Sequence, residues 1–171
     1  MGNLVSRREF LKFTGGVAAG AAAVSTSAVA AAPAADAGDA VLPYKAKVVG
    51  KAAALRINQA VAFTFPDASS PCALLKMGAP VLGGVGPNQD LVAYSTMCTH
   101  MGCPVSYDGA QRVFRCPCHF SIFDAEKAGE MVCGQATENL PRIVLKYNDK
   151  DDTVTAVAVV GLLYGRQSNI L

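Results

Sequence analysis

Cys98-Thr99-His100-Met101-Gly102-Cys103 is followed a short way on by Cys116-Pro117-Cys118-His119-Phe120-Ser121. The 171-residue chain has six cysteines and two histidines, and four of the cysteines and both histidines fall inside these two hexapeptides. Each box thus holds two Cys and one His. Thiolate and imidazole gathered in two short loops are the ligand types that transition metals select. Three chemistries meet this composition. A tetrahedral zinc site would use two Cys and two His. Its C-x-H and C-x-x-H spacings are tighter than the usual zinc pattern, and it leaves Cys103 and Cys118 without a role. A pair of disulfides would suit a secreted scaffold, but gives no reason for both histidines to sit beside the cysteines. An iron–sulfur cluster with mixed ligation would take one Cys and one His from each box and leave two cysteines to pair.

The combined pattern C-x-H-x-G-C … C-x-C-H-x-S resembles the Rieske family, over roughly Leu91 to Leu145. That resemblance implies a [2Fe–2S] cluster with Cys98 and Cys116 on one iron and His100 and His119 on the other. It implies a Cys103–Cys118 disulfide holding the two loops in register. Two ferric ions, two sulfides and two thiolates sum to zero, against minus two for an all-cysteine cluster. An added electron therefore costs less, and the potential rises. In the family a Ser two residues after the second-box His donates to a cluster sulfide, and Ser121 holds that place. Quinol-oxidising members carry a Tyr two residues further on, where this chain has Phe123. The missing hydroxyl predicts a potential below those members and above the all-cysteine ferredoxins. Phe120 is a second departure, since those members usually have Gly there. Gly102 is expected at a positive φ in a tight loop, and Pro104 and Pro117 are expected to stiffen the loops. Cys72 and Cys133 match no family ligand; free thiols are expected, the alternative being a pair with each other.

Beyond the boxes, the stretches VAYSTMCTHMGCPVSYD, RCPCHFSIFDAEKAGEMVCGQATENLPRIVL and GLLYGRQSNIL look like the small subunit of arsenite oxidase. This resemblance implies a heterodimer. Its large subunit carries a molybdopterin centre and a [3Fe–4S] cluster and oxidises arsenite to arsenate. The small subunit, with no substrate chemistry of its own, hands the electrons to a periplasmic cytochrome c or azurin. The alternatives are a Rieske subunit of a quinol–cytochrome c reductase and a zinc-binding protein without redox activity.

The N-terminus narrows the compartment. Ser6-Arg7-Arg8-Glu9-Phe10-Leu11-Lys12 precedes an Ala/Gly/Val run with small-residue sites such as Ala28-Val29-Ala30, the order of an export signal. The paired Arg7 and Arg8 resemble a twin-arginine (Tat) signal, whose cargo is exported folded to the periplasm. Cleavage and retention as a membrane anchor are both compatible with this stretch. Without residues 1–35, Lys+Arg falls from 15 to 12 and Asp+Glu from 13 to 12. A near-neutral chain is not built to bind nucleic acid, and contact with a membrane is expected only if the signal is retained. In the periplasm a structural disulfide persists.

Residues 33–43 read as a linker, so a signal and linker over 1–35 should precede a Rieske domain over 36–171. From Tyr44 on, short apolar runs alternate with turn formers. YKAKVVGKAAAL, QAVAFTF, CALLKMG, LVAYSTM, PRIVLKY and TVTAVAVV each read as a strand, and NDKDD between the last two reads as a hairpin turn. GGVG at Gly83–Gly86 lacks a following Lys-Ser/Thr and reads as a turn, not a phosphate loop. DAEKAGEMV has room for one helical turn. The expected fold is all-β: an antiparallel sandwich or barrel with a small cluster-binding subdomain of two loops at about 91–135, behind an N-terminal signal helix.

Overall fold

A computed structural model describes residues 44–166. The expected signal helix with Arg7 and Arg8, the whole linker and the last five residues lie outside them. Among the described residues there are ten strands, one short 3-10 turn at Ala52–Ala54 and no α-helix. In chain order the strands are β1 (Lys47–Lys51), β2 (Val61–Thr64), β3 (Pro71–Lys76), β4 (Leu91–Ser95), β5 (Ser106–Asp108), β6 (Val113–Arg115), β7 (Ile122–Asp124), β8 (Glu130–Cys133), β9 (Arg142–Asn148) and β10 (Thr153–Val160). All named strand pairs are antiparallel. They form a six-stranded sheet, β1-β10-β9-β4-β3-β2, and a four-stranded sheet, β5-β6-β7-β8.

The apolar pattern explains this layering. Side chains alternate across a strand, and in β3 and β4 both sets are buried. Cys72, Leu74, Leu91 and Ala93 enter one core with Ile143, Leu145, Val154 and Ala156. Ala73, Leu75, Val92 and Tyr94 enter a second core with Phe114, Phe123, Ala125 and Leu140. A strand covered on both faces reads as an unbroken apolar run, and CALL and LVAY do. Tyr94 ties the sheets together: its ring meets Phe114 edge-on at 5.6 Å, and its hydroxyl donates to Ala125 O at 2.8 Å. In β10 the buried Val154 and Ala156 alternate with half-buried neighbours, the mark of a sheet with one covered face, until a register shift after Ala156 leaves Ala158 and Val159 both buried.

Turn chemistry closes the hairpins. NDKDD joins β9 to β10, with Asn148 Oδ1 accepting from Lys150 N at 3.1 Å and Asp152 at φ +60°. Gly83–Gly86 lies in the loop between β3 and β4. DAEKAGEMV forms no helical turn. It is the tight connection from β7 to β8, with Asp124 Oδ1 accepting from Glu126 N at 2.8 Å and Ala128 and Gly129 both at positive φ. The smaller sheet begins at Ser106, so β4, placed with the cluster-binding part in the sequence reading, belongs by its pairing to the larger sheet.

Candidate metal centre

Each box is the tip of a narrow loop. The first follows β4 and is closed by the Met97↔Pro104 bridge. Inside it Cys98 N donates to Cys103 O and Gly102 N donates to Cys98 O, both at 2.8 Å. Gly102 sits at φ +71°. The second box joins β6 to β7, where Cys116 N donates to Ser121 O at 2.8 Å. Phe120 there adopts φ +59°, a conformation that costs a residue with a Cβ and suits glycine. This accounts for the glycine that the quinol-oxidising members usually carry at that position. A Cys103–Cys118 disulfide, with Cα atoms 6.5 Å apart, links the two tips.

Between the tips the remaining groups converge. Cys98 and Cys116 are free and buried, and both pack in the second core beside Phe114 and Phe123. The Cys116 sulfur lies within 4.8 Å of both disulfide sulfurs, but those two, bonded to each other, have no thiolate to offer a metal. The His100 and His119 rings meet edge-on with centroids 4.7 Å apart. Burial pushes the Cys98 thiol above its ordinary pKa, while the backbone N–H groups of His100 and Met101 pull the other way. Those N–H dipoles favour a thiolate, the form that ligates metal. His100 Nδ1 is buried with no hydrogen-bond partner among the described residues. An orphaned buried polar atom costs about 1–3 kcal/mol, a penalty removed if its lone pair ligates a metal. Two inward thiols and an unpartnered imidazole nitrogen fit a metal cluster held by sulfur and nitrogen.

Ser121 is fully buried, and its Oγ accepts from Gln135 N at 3.2 Å and Ala136 N at 3.0 Å. With both lone pairs used, its hydroxyl proton remains free to be donated. Phe123 is fully buried. Cys72 is a buried free thiol donating to Phe65 O at 3.4 Å, and burial pushes it up to about 12. Cys133 is free and exposed.

Sequence reading missed a third segment that touches both boxes. Gly134 (φ +102°) lies so close to the second box that a Cβ there would stand 2.3 Å from Ser121 Cα. Thr99 of the first box donates through Oγ1 to Glu138 O at 2.8 Å. Gly134 after the second box was the available signal, because a glycine following a strand often marks close backbone approach.

Fold and site together define an all-β iron–sulfur protein. A family model of the Rieske [2Fe–2S] domain matches residues 45–148, and the chain belongs to that family. A twin-arginine translocation signal sequence matches residues 4–24, which marks the chain for export to the periplasm. No helix among the described residues is long and apolar enough to cross a membrane. The chain is 39% identical over 168 residues to the iodate reductase subunit IdrB of Denitromonas iodatirespirans, covering 96% of this chain and 86% of that one. It is 35% identical over 167 residues to IdrB of Pseudomonas sp. (strain SCT), covering 96% and 84%. The cytochrome bc1 complex Rieske iron–sulfur subunit of Streptomyces lividans is 39% identical over 64 residues, covering 37% of this chain and 38% of that one. Among solved structures, the soluble domain of Rieske protein II (soxF) from Sulfolobus acidocaldarius superposes with a TM-score of 0.65 at 20% identity, covering 74% and 84%. The plasma-membrane Rieske protein PetC3 of Synechocystis gives 0.52 at 25% identity, covering 66% and 99%.

Proposed function

We propose that the chain is the Rieske electron-transfer subunit of a periplasmic oxidoreductase acting on an inorganic oxyanion, with arsenite as the electron donor. The convergence of two buried thiols and two touching imidazoles at cross-linked loop tips carries the electron-transfer part. A [2Fe–2S] cluster held there would supply one-electron chemistry. Cys98 and Cys116 would hold one iron, and His100 and His119 the other. The Ser121 hydroxyl would be free to donate to the cluster, Gly102 lets the first loop close, and Phe123 offers no hydroxyl. His119 is exposed, so the imidazole side faces the partner. That partner is a molybdopterin large subunit with a [3Fe–4S] cluster, and the acceptor is a cytochrome c or azurin.

Likeness over 96% of the chain to iodate reductase subunits, against 37% for a bc1 subunit, supports an oxyanion enzyme over a quinol-linked one. The same likeness favours a second reading, in which iodate is the terminal acceptor and electrons run the other way. One experiment separates them. The native complex is purified through a tag on this subunit and followed by low-temperature EPR. Arsenite added anaerobically to the oxidised complex should elicit the rhombic signal of a reduced Rieske cluster. Iodate abolishing the dithionite-reduced signal, with arsenite silent, would replace the first reading by the second. The ligand set has its own check: His119→Ala should bring iron content to background, and normal iron in that variant would defeat the assignment.

A further inference from the structure

The end of the described chain touches the first box. After β10 the chain turns at Gly161 (φ +88°). Leu163 is buried in the first core. Arg166 pairs with Asp67 and donates to Ser70 Oγ at 2.8 Å, in the turn between β2 and β3. Asp67 is itself fixed, its Oδ1 accepting from Ser69 N at 2.9 Å, Ser69 Oγ at 2.8 Å and Ser70 Oγ at 3.1 Å. Tyr164 stands between these two anchors. A Cβ on Gly102 would lie 2.4 Å from both Cδ1 and Cε1 of Tyr164, so the ring rests directly on the Gly102 backbone. Gly102 is the residue whose N–H closes the loop onto Cys98 O. Two independent demands thus require glycine there: its φ of +71° and the space that the ring occupies.

We propose that Leu163-Tyr164-Gly165-Arg166 is a strap, and that Tyr164 is a positioning residue that holds the Cys98–Cys103 loop closed on the cluster. The inference rests on the ligand set proposed above. Opening that loop moves Cys98 and His100 together, one ligand for each iron, so loop opening sets how fast the cluster is lost. The ring also covers the loop backbone, which limits water reaching the ligand sulfur and so bears on the potential. The ring does this by packing, and Leu163 and Arg166 keep it in place.

The test uses the full holo-complex. Three quantities are followed: bleaching of the visible absorption under an iron chelator, the midpoint potential by EPR titration, and thermal unfolding. Tyr164→Ala should speed bleaching about tenfold, the ratio that roughly half of a buried aromatic's transfer free energy supports. It should also shift the midpoint potential, whereas Tyr164→Phe, which keeps the ring, should match the wild type in both. Arg166→Gln should give an intermediate rate, and adding it to Tyr164→Ala should change nothing more if the strap acts as one unit. Should Tyr164→Ala fail to accumulate, Arg166→Gln alone carries the test, a bleaching rate equal to wild type sinking the proposal. Wild-type bleaching and potential in Tyr164→Ala would overturn it, as would a Phe variant that behaves like the Ala variant. A fall in unfolding temperature with an unchanged potential would reduce Tyr164 to a general packing residue and also overturn it. Failure of the ligand set reads out separately, as iron retained in His119→Ala.

Discussion

At the scale of single residues, the two phenylalanines of the second box differ in what they do. Phe123 is fully buried against Phe114 and the buried cysteines, so its position can take a hydroxyl without leaving the core face. Phe123→Tyr should raise the midpoint potential by about 40–60 mV, if the new bond stabilises the reduced state by roughly 1–1.4 kcal/mol and one electron moves per step. A redox titration checks this, and an unchanged or lower potential would contradict it. Phe120 is 76% exposed at φ +59°. It stores backbone strain and buries little. Phe120→Gly should therefore stabilise the fold by roughly 0.5–1 kcal/mol, the left-handed penalty less the extra chain entropy of glycine. Chemical denaturation of the two proteins measures it.

At the scale of elements, the disulfide joins two loop tips 15 residues apart in sequence. Closing a loop of that length is worth about 3 kcal/mol. Cys118→Ala should lose about that much stability while keeping reduced but measurable iron, since no ligand of the proposed set is removed. Iron at background in this variant would show that the cross-link is needed for assembly itself. The elements also show what could be read in advance. CALLKM, LVAY, PRIVLKY and TVTAVAVV are long enough to display a period or an unbroken run, and each is a strand. The strands β5, β6, β7 and β8 have only three or four residues each, too few to show alternation. Sequence pattern alone therefore cannot tell them from loops or a helical turn, although they are the frame that presents the second box. The residue types of the site were legible because Cys and His are rare and were concentrated. The supports of the site, Gly134 beneath Ser121 and Tyr164 on Gly102, were not. Both act through contacts between segments distant in sequence: Gly134 marks a close approach without naming what approaches, and nothing around Tyr164 encodes its partner.

At the scale of the whole molecule, one ion pair links the end of the described chain to the turn between β2 and β3. The Arg166 guanidinium, with Ser69 and Ser70, holds the Asp67 carboxyl down to about 2, against an ordinary 3.8, while partial burial opposes it. Two further titratable groups feel this pair: Tyr44 senses both charges, and Cys72 senses the Asp67 carboxylate. A depressed carboxylate contributes stability that is complete above its unfolded pKa and fades as the pH falls through its folded one. The stability gap between wild type and Asp67→Asn should thus be flat at neutral pH and shrink from about pH 4 towards pH 2. A gap that widens on acidification would contradict the assignment. β3 and β4 have a further consequence. They send alternate side chains into the two cores, so neither sheet can melt without stripping one side of the other's packing. Heating should accordingly give one calorimetric transition for residues 44–166, with a calorimetric enthalpy equal to the van't Hoff value. Amide exchange should be slowest along β4, the strand both halves share.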